Sequence, residues 1–281
     1  MVTLPVIGSF LEAAGMIIEK KILGKRNINF KNYTVYEFLA ILVVMLPIIY
    51  FFWRIDKEAF IFGKLAVFIL VVIFSVMANL LIFYSLKREH ITEFEPVWLM
   101  QPFFTIILAF IFYESERNFF GLGLALTASI TLVASHVKKH HFTFDRYILA
   151  AFLGSFCFSV ELVLSRLILD YYSPFSLYFL RSSFIFLITF IIFRPSFKPV
   201  IREKKIGAMI LFVGLIWVFY RVIIYYGYLA FGIIFTTTIF ILSPVFIFLF
   251  ATFYLKEKPT LRYIISTLIM VICVVLAILL R

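Results

Sequence analysis

Residues 96–117 read PVWLMQPFFTIILAFIFYESER, and residues 238–258 read TIFILSPVFIFLFATFYLKEK. In each stretch a proline, Pro102 or Pro244, lies inside an apolar segment that an acidic residue and then a basic residue bring to an end. The chain therefore contains an internal repeat with a period near 142 residues. Duplicated halves build the two gates of many secondary transporters, so the repeat indicates transport across a membrane.

The composition of the chain is that of an integral membrane protein. Hydrophobic residues make up 64% of its 281 residues, charged residues only 15%, and the mean hydropathy is +1.10. A soluble fold of this length would expose far more apolar surface than water tolerates. Most basic residues lie in short gaps between apolar runs, so the net charge of +11 is a topology signal and does not indicate nucleic-acid binding. Cys157 and Cys273 are isolated, and we expect neither a metal nor a cofactor.

Apolar runs long enough to cross a hydrocarbon core of ~30 Å, about 20 residues as helix, occur ten times. Lipid cannot satisfy an open backbone, so each run must be helical. The predicted fold class is all-α, a polytopic protein of the cell membrane with ten transmembrane helices. The predicted segments are residues 3–23, 34–53, 60–86, 91–113, 118–136, 146–169, 174–193, 205–231, 233–255 and 261–280.

The repeat extends over the whole chain. An offset of 142 places Pro102 on Pro244, and an offset of 146 places Gly8-Ser9-Phe10 on Gly154-Ser155-Phe156. This predicts two five-helix repeats, residues 1–141 and 142–281, within one membrane domain. Five is an odd number, so the second repeat must enter the membrane in the opposite sense to the first. The sequence therefore predicts an inverted repeat whose pseudo-two-fold axis lies in the membrane plane.

Three stretches resemble a known family. They are SPFSLYFLRSSFIFLI at residues 173–188, TIFILSPVFIFLFATFYLKEKPT at 238–260 and PVWLMQPFFTIILAFIFYESERNFFGLGLALTASITLVAS at 96–135. All three are similar to the EamA repeats of the drug/metabolite transporter superfamily, and the resemblance covers nearly the whole chain. It implies a ten-helix carrier that works by alternating access, in a family whose members handle amino acids, nucleotide sugars, other metabolites or drugs.

The orientation in the membrane has two conflicting indications. Of the 26 Lys and Arg residues, 18 lie in or beside the connections that follow helices one, three, five, seven and nine, and 6 lie on the opposite side. The positive-inside rule then places both termini outside the cell. The resemblance implies cytoplasmic termini, and the sequence leaves the orientation open.

Arg221 is the leading candidate for substrate binding. An ionisable group at membrane depth is costly unless it faces a cavity or a partner. Arg221 lies deep in the eighth segment, with Trp217 and Tyr225 one turn away on the same helical face. A guanidinium group pairs well with carboxylate or phosphate, and aromatic rings hold an apolar body. A structural ion pair with Glu161 is the alternative, and a pair that opens during transport satisfies both.

Two carboxyl groups are candidates for proton coupling or ion pairing. Glu12 and Glu161 lie near the middle of the first and sixth segments, where burial disfavours the charged form. The alternative is a neutral, hydrogen-bonded carboxyl group at a helix contact. Glu19 is expected to be a solvated charge at a helix end beside Lys20. Arg181 is expected to reach a lipid headgroup or to anchor its helix.

The fourth and ninth segments carry candidate hinges. Prolines remove backbone hydrogen bonds and leave carbonyl groups that water or substrate can meet. Trp98 and Gln101 are predicted to contact substrate, and Glu95 is a further ion-pair or proton candidate on the face of Trp98. The alternative is that these residues only bend the helices. The gating candidates are Pro96, Pro102 and Pro244.

Asn79 occupies the position in the first repeat that Arg221 occupies in the second. This predicts a pocket that is charged on one wall and merely polar on the other, with Asn79 as a second substrate contact. An interhelical hydrogen bond is the alternative reading of the amide.

The chain is therefore expected to be a secondary active transporter of a small organic metabolite, such as an amino acid or a related compound. It contains no Gly-rich phosphate loop, HExxH or GxSxG motif, so we expect no enzymatic activity. The alternatives are a non-transporting scaffold or regulatory subunit, and a carrier of a lipid-linked or hydrophobic drug substrate. The expected partners are a small-molecule substrate, a coupling proton and the lipid bilayer, with no nucleic acid. A monomer and a homodimer are both compatible with the sequence.

Overall fold

The computed structural model describes residues 3–88, 94, 97–136, 145–246 and 261–279. These residues form helices joined by short connections, and they contain no β-strand; Ile55 and Tyr172 form an isolated antiparallel bridge. They include a one-turn helix, Lys198–Arg202. The longer helices are α1 (Thr3–Leu23), α2 (Phe30–Phe52), α3 (Phe62–Arg88), α4 (Met100–Phe112), α5 (Phe119–His136), α6 (Arg146–Ile168), α7 (Pro174–Phe193), α8 (Lys204–Phe231), α9 (Ile233–Phe240) and α10 (Leu261–Leu279).

Local sequence determines where several helices begin. The Asn29 side chain accepts a hydrogen bond from the backbone N–H of Lys31 at the start of α2. Asp145 accepts two such bonds at the start of α6. Ser173 caps α7, and Pro174 follows at the first helical position, where its missing N–H costs nothing.

Five helices, α2, α3, α6, α7 and α8, are long and apolar enough to cross a membrane. Helices α4, α5, α9 and α10 contain shorter apolar stretches in the described residues. Helix α1 has 21 residues but carries four charged side chains. Large apolar side chains such as Leu46 and Phe62 are 59% and 86% exposed, which is the surface that lipid covers in a membrane protein. The chain is an all-α, polytopic protein built from two repeats.

Helices of one repeat pack against helices of the other repeat. Helix α1 packs against α8, and its repeat counterpart α6 packs against α3, the counterpart of α8. In the same way α4 packs against α6, and α9 against α1. Helix α2 contacts its own counterpart α7, and α5 contacts α10. Each repeat therefore completes the core of the other.

The α2–α3 and α6–α7 connections join the repeats at one end of the bundle. The backbone N–H of Asp56 donates to the carbonyl of Tyr171, and the N–H of Ser173 donates to the carbonyl of Arg54, both across 2.9 Å. The rings of Phe52 and Phe175 stack beside them, 4.6 Å apart. These contacts hold the repeats together at this end.

The predicted fourth and ninth segments are not continuous helices. A turn at Leu99 precedes α4, and a turn at residues 241–242 separates α9 from a further helical turn at 243–246. Pro102 and Pro244 each lie three residues after the start of their turn. A proline lacks the N–H that would bond four residues back, and its ring clashes with that carbonyl, so the helix breaks just before it. Both breaks obey the 142-residue period.

Candidate functional site

Glu161 of α6 lies between two arginines from neighbouring helices. Its Oε2 is 3.0 Å from Nη1 of Arg221 on α8, and its Oε1 is 3.2 Å from Nε of Arg181 on α7. No side chain of the three is more than 5% exposed. We call these residues the ion triad. It places one carboxylate against two guanidinium groups inside the helix bundle.

Neighbouring hydroxyl groups and a ring hold the ion triad in place. Ser165 donates to Oε1 of Glu161 across 2.9 Å, and Nε of Arg181 donates to Oγ of Ser75 across 2.7 Å. The guanidinium carbon of Arg221 lies 4.6 Å from the ring centre of Phe158. A buried ion pair is stable only when further hydrogen bonds satisfy its groups, and these contacts supply part of them.

The ion triad tests two expectations from the sequence. The ion pair between Arg221 and Glu161 is present. The expectation that Arg181 reaches a lipid headgroup is wrong, because the residue is only 1% exposed. Ser75 and Glu161 are within reach of its guanidinium group, so the side chain turns inward. A single helix cannot reveal this, since both partners come from other helices.

An internal cavity of about 50 Å³ lies beside the ion triad, between the two repeats. Glu19, Glu37 and Asn79 line it from the first repeat, and Arg181 and Arg221 line it from the second. It has room for a few water molecules and is smaller than the ~300 Å³ at which drug-sized pockets begin. Aromatic walls come from Trp98, Phe158, Tyr178, Trp217 and Tyr220.

Glu19 and Glu37 form a pair of buried carboxyl groups on the cavity wall. Each residue is 3% exposed, and the two side chains lie within hydrogen-bonding reach of one another. Nε1 of Trp217 donates to Oε1 of Glu19 across 2.7 Å, and the hydroxyl of Tyr33 lies 3.4 Å from the same oxygen. The expectation that Glu19 is a solvated end charge is therefore wrong, because α2 and α8 cover this end of α1.

Glu37 was not predicted as a site residue. It lies near the start of α2, and sequence position alone suggests a solvated end. The available signal was its charge inside an otherwise apolar helix, since no other acidic or basic residue lies between Lys31 and the end of α2. An isolated ionisable residue within a membrane segment is a site candidate by default.

Glu12 lies at a second, smaller cavity of about 20 Å³ between the two helix breaks. Its carboxyl group lies near the polar side-chain atoms of Trp98, Tyr220 and Ser243 and near the guanidinium group of Arg221. The residue is 6% exposed. Glu12 therefore connects the first helix to both broken helices. The cavity wall also contains Gln101, Pro102, Phe240, Ile241 and Pro244.

The remaining predicted site residues fall into three groups. Trp98, Trp217 and Asn79 line the larger cavity, and the amide nitrogen of Asn79 donates to the carbonyl of Ser75 in its own helix across 2.7 Å. That bond lies within α3, so it is not the interhelical hydrogen bond that the alternative reading of Asn79 predicts.

The second group, Tyr225 and Gln101, lies outside the wall of the larger cavity. Tyr225 is fully buried, and its hydroxyl lies 3.5 Å from both Glu161 and Ser165. The amide nitrogen of Gln101 donates to Thr105 across 2.9 Å. The third group, Glu95 and Pro96, lies outside the described residues.

Comparison with known families decides the identity of this fold. The model of the EamA-like transporter family matches residues 1–135 and again residues 145–279, one copy in each half of the chain. The chain belongs to the EamA-like transporter family. Membership makes it an integral membrane transporter.

Solved structures include a similar fold. A structure described only as "Crystal structure of protein" is similar to this EamA-like transporter over 99% of the chain and 98% of its own length, with a TM-score of 0.71 and 16% identity. At that identity the likeness shows the fold alone. No curated protein matches the chain.

Proposed function

We propose that this EamA-like transporter is a secondary active carrier of a small organic metabolite, such as an amino acid or a related compound. It works by alternating access in the cell membrane, with ten transmembrane helices arranged as two inverted five-helix repeats. The observation that carries the proposal is the cavity between the repeats, with carboxyl groups on one wall and the two arginines of the ion triad on the other. Charge at this depth is costly and is characteristic of substrate or ion pathways.

The ion triad supplies a site for an anionic group. Arg221 lines the cavity while its Nη1 pairs with Glu161. An incoming carboxylate competes with Glu161 for this guanidinium group, so binding weakens the contact between α6 and α8. Trp217 and Trp98 hold the apolar part of the substrate, and Asn79 offers an uncharged polar contact on the opposite wall.

The two broken helices supply the gates. Glu12 lies near Trp98 beside one break and near Ser243 beside the other, at a cavity whose wall contains the repeat-related prolines of both. A change in the protonation or hydrogen bonding of Glu12 therefore acts on both breaks, which makes it the leading candidate for proton coupling. Pro102 and Pro244 have no backbone N–H to bond four residues back, so each break can bend at little cost.

A thermal-shift screen tests the proposal. Purified protein is heated with amino acids, nucleotide sugars, organic anions and organic cations, and the screen is repeated with Arg221→Ala and Glu161→Gln. A ligand that binds the folded state raises the unfolding temperature by mass action. We expect stabilisation of the wild type by one compound class and its loss in Arg221→Ala. Equal stabilisation of Arg221→Ala would contradict the proposal that Arg221 binds the anionic group of the substrate.

Two alternatives give different outcomes. A scaffold or regulatory subunit with this fold would bind no compound, and it would tolerate neutral replacements of Glu12, Glu161 and Arg221 in its function. A carrier of lipid-linked or hydrophobic drug substrates would respond to apolar compounds without regard to charge. The small volume and the many charges of the cavity favour a small polar substrate.

A further inference from the structure

Two buried polar atoms, on residues that line the cavity, make no hydrogen bond in the described part of the chain. They are Oε2 of Glu37 on α2 and Nη1 of Arg181 on α7. Both residues are almost fully buried, at 3% and 1% exposed, and both line the same cavity. A buried charged atom without a partner costs free energy unless a ligand or water satisfies it. One atom is an acceptor on a carboxyl group and the other is a donor on a cation.

The contacts of Arg181 leave one of its nitrogens without a hydrogen bond. Oε1 of Glu161 and Oγ of Ser75 lie at Nε of Arg181, and its Nη1 has no hydrogen-bond partner in the described residues. Glu37 contacts Glu19 within the carboxyl pair, and Arg181 acts on Glu37 electrostatically without a hydrogen bond between them. Two ionised carboxyl groups in contact repel, so the pair binds a proton or a cation. An ammonium group meets this requirement.

Charge balance restricts the ligand further. A cavity inside a membrane protein cannot take up an uncompensated charge without a large cost. A free anion would satisfy Arg181 but would be repelled by the carboxyl pair. A free cation would satisfy the carboxyl pair but would be repelled by Arg181. A molecule that carries both charges satisfies both atoms and adds no net charge.

We propose that the cavity, once the repeats move apart and enlarge it, binds a zwitterion, with its carboxylate at Nη1 of Arg181 and its ammonium group at Oε2 of Glu37. The proposal rests on the function proposed above and names the substrate class and two subsites. The aromatic wall of Trp98, Trp217 and Tyr220 receives the apolar body of the ligand. The carboxylate that reaches Arg221 in the function proposed above then meets Arg181 as a second guanidinium group on the same wall.

The test compares matched ligands that differ only in charge. Thermal unfolding of the full chain in detergent is measured with phenylalanine, 3-phenylpropanoate and 2-phenylethylamine, and again with leucine, 4-methylpentanoate and 3-methylbutylamine. Each series keeps the apolar body and removes one charged group at a time. We expect the amino acid of at least one series to bind about tenfold or more tightly than either analogue.

A substitution at Glu37 tests which subsite binds which end of the ligand. Glu37→Gln removes the negative charge from the ammonium subsite and keeps the shape of the side chain. We expect it to weaken amino-acid binding about tenfold and to leave binding of the carboxylate-only analogue nearly unchanged. Glu58→Gln, at a surface carboxylate on the α2–α3 connection, is the matched control. It should change neither the binding of the amino acid nor the binding of the carboxylate-only analogue.

Each outcome supports or overturns the proposal. Equal binding of the amino acid and a single-charge analogue overturns it, and so does a Glu37→Gln protein that keeps the wild-type preference. If Glu37→Gln fails to fold, the two ligand series on the wild type decide alone. Binding of a metabolite outside the zwitterion class overturns this inference and leaves the transporter proposal standing. Absence of binding by every compound in the wider screen counts against both.

Discussion

The hydroxyl of Ser9 donates to the backbone carbonyl of Ile239 across 3.1 Å and so joins α1 of the first repeat to α9 of the second. Its repeat counterpart Ser155 donates to the carbonyl of Val97 across 3.3 Å, just before α4. Each contact reaches the backbone two residues before a helix break. The first helix of each repeat therefore holds the broken helix of the other, which makes the two gates parts of one packed unit.

Removing the charge of Glu161 should destabilise the protein strongly. Glu161→Gln leaves Arg181 and Arg221 buried against a neutral amide. Breaking a buried ion pair by removing one partner costs about 3–5 kcal/mol, so we expect a clear fall in the free energy of unfolding, measured by denaturant titration in detergent. Glu58→Gln breaks only a surface pair with Lys64 and should unfold like the wild type. Equal stability of the two variants would show that the ion triad does not stabilise the fold.

The close contact between α8 and α2 should not tolerate a methyl group at Gly214. A Cβ there would lie 3.0 Å from the carbonyl carbon of Ala40 and 3.1 Å from the nitrogen of Ile41. Backbone atoms cannot move aside as a flexible side chain does, and overpacking typically costs about 1–3 kcal/mol. We expect Gly214→Ala to lower the thermal midpoint.

Gly123→Ala is the matched control for this contact. Gly123 lies in α5, and a Cβ there meets nothing within 4 Å. Alanine is the better helix former, so this variant should match or exceed the stability of the wild type. A Gly214→Ala protein as stable as the control would contradict the described packing of α8 on α2.

Glu116 caps a helix of the other repeat. Its Oε1 and Oε2 accept hydrogen bonds from the backbone N–H groups of Ile233 and Ile234, across 2.6 and 3.2 Å, at the start of α9. A helix cap is worth about 0.5–2 kcal/mol, so Glu116→Ala should lower the unfolding free energy by that amount. Thermal unfolding measures both variants. The neighbouring Glu114→Ala, at a side chain that is 87% exposed, should lower the stability less than Glu116→Ala does. A larger effect of Glu114→Ala would disprove the cap.

The orientation of the chain is open to a direct test. The distribution of Lys and Arg predicts both termini outside the cell. A reporter that is active only in the cytoplasm, fused after Arg281, should then be silent, and a periplasmic or extracellular reporter at the same position should be active. Activity of the cytoplasmic reporter would show that the family resemblance gives the right orientation.

Much of the fold was predictable from the repeat and from apolar run length. The segments 3–23, 146–169 and 174–193 coincide with α1, α6 and α7 to within one residue. The Gly8-Ser9 and Gly154-Ser155 pairs identified the repeat, and Ser9 and Ser155 make equivalent contacts. Run length failed at α4 and α9, because a proline breaks a helix without interrupting the apolar run.

The candidate site was predictable only in part. Arg221 and Glu161 were found because charges in the middle of an apolar segment have few structural explanations. Glu19, Glu37 and Arg181 were misjudged or missed because they lie nearer to helix ends, where a single sequence suggests solvent. Their burial depends on how neighbouring helices cover those ends, and that is a property of tertiary packing.

The central claim is that ionised metabolites cross the membrane through the cavity beside Arg221. The most direct measurement is uptake of carbon-14-labelled amino acids into proteoliposomes preloaded with the same unlabelled compounds. We predict saturable uptake by the wild type and by Glu58→Gln, and a fall to the level of empty liposomes for Arg221→Ala reconstituted at the same density. Wild-type uptake by Arg221→Ala would contradict the claim.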